Sequence, residues 1–335
     1  MLNILDDEDQ HDRYLATPDN VKEVIDKYGV AIIPNILNQD EVNAMVNGMW
    51  DYLELVTSKF DKPINRDDKS TYVGFFDLLP LHSMLVQHWQ VGHAQYVWDL
   101  RQNPKIVNIF AKIWNVSMED LTVSFDGVGI SMHFEDTNRG FYRGNNWYHT
   151  DQTIFDSSMK CIQSWVTGFD VRKGDATLTI LEGSHKHHDK IQQRLTNIDA
   201  KTQTKLKKDW YKLDAEELEY FKSLGCKPRN IVCNAGSMVL WDSRTMHAGK
   251  EPSKTRIQPN FRNVVYLCYT PKNLLSGANA KKKQKAFNEK RMTSHWPHKV
   301  ILFPKTPRTY GNSLPQITDV PTPKLTELGK RLAGF

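Results

Sequence analysis

The chain has only four cysteines, Cys161, Cys226, Cys233 and Cys268, and no two of them stand in C-x-x-C spacing. That argues against a cysteine-built zinc site and a disulfide framework, and scattered thiols suit a reducing compartment. No run of 18 or more apolar residues occurs, so no membrane span is expected. The acidic start at Asp6, Asp7, Glu8 and Asp9 lacks the basic and apolar regions of a secretory signal, which predicts a cytoplasmic protein. No internal repeat or low-complexity tract stands out.

With 39% hydrophobic and 10% aromatic residues over 335 positions, the chain is long and apolar enough to bury a sizeable core. The net charge of +5 is uneven: Lys272 to Arg308 holds ten basic residues against one acid, Glu289. Such a segment could bind nucleic acid or another polyanion, or dock a protein. The plainer reading is a solvated helix and loop surface.

Residues 15–120 carry helix signals. Thr17 and Pro18 are expected to open a helix through Val21, Val24, Ile25 and Tyr28, which Gly29 ends. Val30 to Pro34 reads as a buried strand. Asn38 and Glu41 form a capping-box pattern ahead of Val42, Met45, Val46, Met49, Trp50, Leu53 and Val56 at helical spacing. Residues 58–80 are punctuated by charge and read as a loop. Two further helices are expected over Gly92–Gln102 and Pro104–Asn115, the second capped by Asn103.

From residue 121 the texture is β. Strands are expected at Leu121–Phe125, Val128–Met132, Cys161–Val171, Ala176–Leu181, Ile231–Cys233, Met238–Trp241 and Val264–Tyr269. An insertion of mixed charge spans about 186–226, and a basic extension occupies 273–335, with helices from Lys281 and from Pro323. This organisation predicts one domain over residues 1–335: a mainly β barrel or sandwich at 121–272, flanked by helices.

Within that β region His149 and Asp151 follow a polar, Gly- and Asn-rich loop. An imidazole and a carboxylate two positions apart can face one metal, and with one further His they make the facial triad of non-haem Fe(II) oxygenases. Alone the pair is weak. About one His-x-Asp is expected by chance among 12 histidines in this chain, and a second copy, His187 and Asp189, is present. The context is what counts: His247 follows the strand at Met238–Trp241, and Arg262 opens the strand beyond it. An Arg at the mouth of a barrel suits a carboxylate, because its fork makes two charge-assisted hydrogen bonds.

In order, Tyr28 to Pro34, Ile36 and Leu37 with the helix after them, Tyr148 to Gln152, Gly174 to His185, Gly236 to Asp242, His247 to Gly249 and Arg262 resemble the phytanoyl-CoA dioxygenase-like branch of the Fe(II)/2-oxoglutarate oxygenases. The resemblance covers roughly residues 15–272. It implies a double-stranded β-helix (jelly-roll) core, with His149, Asp151 and His247 as catalytic iron ligands. It also implies Arg262 as anchor for the distal carboxylate of 2-oxoglutarate, and O2 as oxidant. The implied reaction hydroxylates an unactivated C–H bond, most simply of a small molecule, releasing succinate and CO2. The gap between His247 and Arg262 is longer than the family usually shows, so Arg256 is a second candidate for the cosubstrate. Asp151 stands where halogenating relatives carry a small residue, which favours hydroxylation. The resemblance also makes the His185, His187 and His188 cluster a surface turn. Among the aromatics, Phe75, Phe76, Phe141, Tyr142 and Trp147 are candidates to line a pocket.

Overall fold

The computed structural model describes residues 8–78, 84–141, 143–144, 147–195, 209–309 and 311–335. Helix α1, Val21–Tyr28, ends as its sequence dictates: Gly29 takes φ 83° and returns its N–H to the Ile25 carbonyl. It begins later than expected. The Asn20 side chain accepts the Thr17 N–H at 2.7 Å, so residues 17–20 close a separate turn and Asn20 takes the cap position. Strand β1, Val30–Ile33, follows at once and is wholly buried.

Helix α2, Gln39–Val56, carries the expected capping box: Asn38 Oδ1 accepts the Glu41 N–H, and Glu41 Oε2 accepts the Asn38 N–H. Strand β2 is Leu85–Val86. Helices α3, Gln95–Arg101, and α4, Pro104–Trp114, follow, with Asn103 Oδ1 capping α4 at Lys105. Between α2 and β2 the expected loop contains a 3-10 helix, Lys69–Leu78, that buries Tyr72, Phe75 and Leu78. Their spacing of three is the 3-10 period, which a search for 3.6 overlooks.

Ten more strands complete the β region: β3 Leu121–Val123, β4 Val128–Ser131, β5 His149–Thr150, β6 Ile162–Thr167, β7 Thr177–Glu182, β8 Tyr211–Lys212, β9 Lys227–Asn230, β10 Met238–Asp242, β11 His247–Lys250 and β12 Arg262–Pro271. They form two antiparallel sheets. The larger runs β1-β10-β6-β12-β4-β2, with β3 also on β12; the smaller runs β8-β5-β11-β7-β9. From β4 to β7 and from β9 to β12 the chain alternates between the sheets, which is the winding of a jelly roll. β3 and β4 do not pair with each other; they lie end to end along β12, Tyr269 facing Val123 and Arg262 facing Ser131.

Trp165, Leu178, Ile180, Val239, Trp241 and Val264 fill the space between the sheets. On the outer face of the larger sheet Ile162, Val166, Leu240 and Leu267 meet α2, α3 and α4 in the main core. Both faces of β6 are thereby covered, and all six of its residues are buried.

Three expectations are corrected. The strand expected at Ile231–Cys233 lies at Lys227–Asn230, with Pro228 inside it. A proline argues against a central strand, but β9 is an edge strand, where the missing N–H costs no ladder bond. The insertion at 186–226 contributes to the sheet: β8 pairs with β5, placing Lys212 opposite His149. The histidine cluster is not a surface turn, because His185 and His188 are buried and His187 is half-buried.

The basic extension is largely consumed by the fold. The helix Gly277–Asn288 sends Lys283 inside, its Nζ donating to the Val123 carbonyl and lying over the Phe125 ring. Lys290 and Arg291 donate to the carbonyls of Val320 and Phe303. Lys299 pairs with Asp209, and Lys285 and Lys305 with Glu289. The last helix, Glu327–Ala333, starts at its Thr326 cap rather than at Pro323. No helix of the described residues is long and apolar enough to cross a membrane.

Two predictions follow from packing and burial. A Cβ on Gly48 would stand 2.2 Å from Tyr96 Cβ, where α2 crosses α3. Gly48→Val should therefore cost about 1–3 kcal/mol in urea unfolding, the price of overpacking; an unchanged midpoint would contradict this contact. Burial also pushes the pKa of His93 down to about 3 and that of His188 down to about 4, from 6.5. Between those values the unfolded chain binds more protons than the folded one. The stability these residues contribute is complete above pH 6.5 and is lost as pH falls toward 4. Urea unfolding at about pH 7, 6 and 5 should show a decline of up to ~1.4 kcal/mol per pH unit per histidine, reduced in His93→Leu.

Candidate metal centre

His149 and His247 are 98 positions apart in the chain, yet they face each other directly in the β5–β11 ladder. Their rings are 4.4 Å apart, and both are buried. Asp151 leaves the end of β5 and is fixed by its own N–H, which donates to the Ser243 carbonyl at 3.0 Å. Asp151 Oδ1 lies 3.5 Å from His149 Nε2 and Oδ2 lies 3.3 Å from His247 Nε2. One ligand atom from each residue falls within 4.8 Å of the others, and among the described residues this is the cluster able to hold a metal ion.

The tautomers are set by backbone carbonyls. His149 Nδ1 is 3.1 Å from the Trp147 carbonyl, and His247 Nδ1 is 2.8 Å from the Thr245 carbonyl. A carbonyl only accepts, so each Nδ1 carries the proton and each Nε2 presents a lone pair. Burial, opposed by the Asp151 carboxylate, pushes the His149 pKa down to about 4, so the imidazole is neutral near pH 7. Burial raises the carboxyl of Asp151, but His149, His295 and His247 outweigh it and hold it well below the usual carboxylate range. Two Nε2 atoms and a carboxylate thus converge on one point. Ligands about 2.1 Å from one ion, at right angles, are about 3.0 Å apart, so the observed 3.3 and 3.5 Å fit a cation with little movement.

Neighbouring groups hold this arrangement. Gln163 on β6 donates Nε2 to Asp151 Oδ2 at 2.9 Å. Ser243 donates Oγ to Gln152 Oε1, and its carbonyl accepts from Thr150 Oγ1. Asp242 turns away to hold Arg244. Trp147 stacks flat on the His149 ring, 4.4 Å between centroids and 9° between planes, and donates Nε1 to the Gly249 carbonyl.

The two candidate arginines differ sharply. Arg256 is bracketed by carboxylates: Nε and Nη2 donate to Glu135, and Nη1 to Asp175 at 3.1 Å. Arg262, at the start of β12, is buried with Nη1 on the Ala176 carbonyl at 2.9 Å and the guanidinium over Trp165. Its Nε is buried without a hydrogen-bond partner, and no described carboxylate lies within ion-pair distance. Gly129 leaves room beside it, since a Cβ there would stand 3.1 Å from Arg262 Nε and 3.2 Å from the Tyr266 hydroxyl. In the smaller sheet Ile180 faces His247, and Ala176 lies four residues further along, roughly 13 Å at ~3.3 Å per residue.

Gln163 and Tyr266 were not singled out by sequence reasoning, although a polar Gln163 beside Trp165 in an apolar strand is a visible signal. Of the candidate pocket aromatics, Trp147 lies at the metal cluster and Phe75 is core. Tyr142 lies outside the described residues. His187 and Asp189 join no metal cluster among the described residues.

Comparison with known proteins bears on the fold and the family. The chain is 24% identical over 275 residues to Ava biosynthesis cluster protein O of Aspergillus versicolor, spanning 82% of this chain and 84% of that one. A hypothetical protein from Escherichia coli superposes with a TM-score of 0.59 at 14% identity, covering 96% of this chain and 85% of that one. The product of GlcNAc-inducible gene 2 of Candida albicans gives 0.57 at 13% identity, covering 95% and 76%. These two structures share the fold with this chain. Residues 25–256, containing all three members of the His–Asp–His cluster, match the phytanoyl-CoA dioxygenase (PhyH) family, and the chain belongs to it.

Proposed function

We propose that this protein is an Fe(II)- and 2-oxoglutarate-dependent dioxygenase that hydroxylates an unactivated C–H bond of a small molecule, with release of succinate and CO2. The observation that carries the reading is Arg262: a buried cation with an unpartnered Nε, on the same barrel interior as three clustered metal-ligand atoms. A buried guanidinium without a carboxylate is costly, and the distal carboxylate of a bound dicarboxylic acid relieves that cost. Arg256 already has two carboxylates and so has no such need.

His149, Asp151 and His247 would hold the iron, which supplies the open coordination positions where cosubstrate and O2 meet. The chain's own residues do the rest. The Trp147 and Thr245 carbonyls keep both Nε2 lone pairs turned inward, and Gln163 fixes the carboxylate. Arg262 orients the cosubstrate from its far end, with the Tyr266 hydroxyl beside it. Trp147 covers one flank of His149 and limits water there. The name of the Aspergillus relative places that protein in a biosynthesis cluster, which supports a small-molecule substrate here. The internally paired basic extension favours neither a nucleic-acid nor a protein substrate.

Metal binding tests the cluster directly. Wild-type protein should bind one Fe(II) or Co(II), and His149→Ala or His247→Ala should abolish it. Gln163→Ala should weaken it by about 10–100-fold, as loss of a residue orienting a ligand does. A fully retained Co(II) spectrum in His149→Ala would remove the assignment. Succinate formation from 2-oxoglutarate tests the anchor: Arg262→Ala should raise the KM for 2-oxoglutarate roughly 10–100-fold, the worth of a charge-assisted hydrogen bond in a buried site. Arg256→Ala should leave it within about threefold; the reverse pattern would transfer the role to Arg256.

A further inference from the structure

Residues Met292–Lys299 lie outside the segment that matches the family, yet they pack on residues next to those that hold Asp151. Thr293 exchanges two hydrogen bonds with Phe125, next to Asp126: its N–H donates to the Phe125 carbonyl, and its Oγ1 accepts the Phe125 N–H. Trp296 packs with Cys161 and Cys268. Cys268 faces Gln163, the residue bonded to Asp151, and the Cys161 carbonyl accepts the N–H of Ser243, which in turn fixes Asp151. Further on, His298 reaches Thr270, and Lys299 pairs with Asp209 of the insertion. The segment is a strap tied at both ends across the barrel beside Asp151.

His295 lies in the middle of that strap. Its Nε2 is buried and has no hydrogen-bond partner. It is not a fourth member of the ligand cluster, which holds three residues. Leaving a buried nitrogen without a partner is costly, and such an atom beside a ligand site points to a ligand as its partner. Tyr266, on β12 beside Arg262, lies within electrostatic reach of Asp126 and Asp151 as well. His295 in turn bears on His149, Asp151 and Asp126.

We propose that His295 is a cosubstrate-binding residue: its Nε2–H donates to the carboxylate of 2-oxoglutarate at the metal end, opposite the anchor at Arg262. The inference rests on the dioxygenase reading above. It assigns to the C-terminal strap a direct part in the site.

The test is an anaerobic titration of 2-oxoglutarate into Fe(II)-loaded full-length protein, followed by the visible charge-transfer band of the chelate rather than by turnover. His295→Leu should weaken 2-oxoglutarate binding about 10-fold, with Fe(II) affinity and thermal midpoint unchanged. His295→Gln, whose amide nitrogen reaches the place of Nε2, should recover most of the loss, whereas the shorter His295→Asn should not. Wild-type affinity in His295→Leu overturns the proposal and leaves the dioxygenase reading standing. Equal losses in the Gln, Asn and Leu variants together with a lowered midpoint also overturn it, in favour of a packing role. If His295→Leu does not fold, a difference between Gln and Asn supports the proposal and equal affinity overturns it. Wild-type protein that binds Fe(II) but shows no band at any 2-oxoglutarate concentration overturns both readings.

Discussion

The rung joining His149 to His247 is the contact on which the site depends. β5 is only two residues long, and its place is fixed by β11 on one side and β8 on the other. A slip of one residue in that register would turn His149 to the opposite face of the sheet. The register is held by longer strands around it, because β11 pairs over four residues with β7, and β7 over four with β9. The carbonyls of Trp147 and Thr245, each two residues before a ligand, then orient both rings from the same ladder. One strand pairing therefore sets position, facing and tautomer together.

Charge placement separates structural from functional groups in this barrel. Arg256, between Glu135 and Asp175, closes a loop onto the sheet and has its donors engaged. Arg262 is equally removed from water but meets a carbonyl, an aromatic face and the Tyr266 hydroxyl, with no described carboxylate within ion-pair distance. Sequence ranks Arg262 ahead of Arg256 by its place before a strand, and the partners around each then separate them physically. The same holds for the two His-x-Asp pairs. One has its imidazole turned inward against a second histidine, and the other sits on a short 3-10 turn leading into a helix.

Much of this was legible because local signals and burial agree. The Asn38–Glu41 box, Pro104 behind Asn103 and Gly29 at a positive φ are decided within a few residues, and the chain obeys them. The jelly-roll winding and the His–Asp–His set became legible through the order of several motifs rather than through any one. What escaped is decided by distant partners. β8 forms because β5 offers an unpaired edge, β9 accepts Pro228 because it is an edge, and Lys283 is buried because the Val123 carbonyl waits for it. His295 carries no motif at all; its position depends on a strap pinned through Thr293 and Trp296. A histidine cluster in a basic, polar stretch reads as surface, yet His185 finds the Asp26 carbonyl and goes inside.

The separation of the two histidines in the chain has a consequence for folding. An ion held by His149 and His247 closes a loop of 98 residues, so it acts as a reversible cross-link between two halves of the barrel. In the chain-entropy picture a cross-link of that span removes on the order of 4 kcal/mol of freedom from the unfolded state. Chelation at both histidines also requires the strands between them to be in register, so strong capture of metal comes late in folding. A metal bound there would then stabilise the folded chain by mass action as well as serve the reaction.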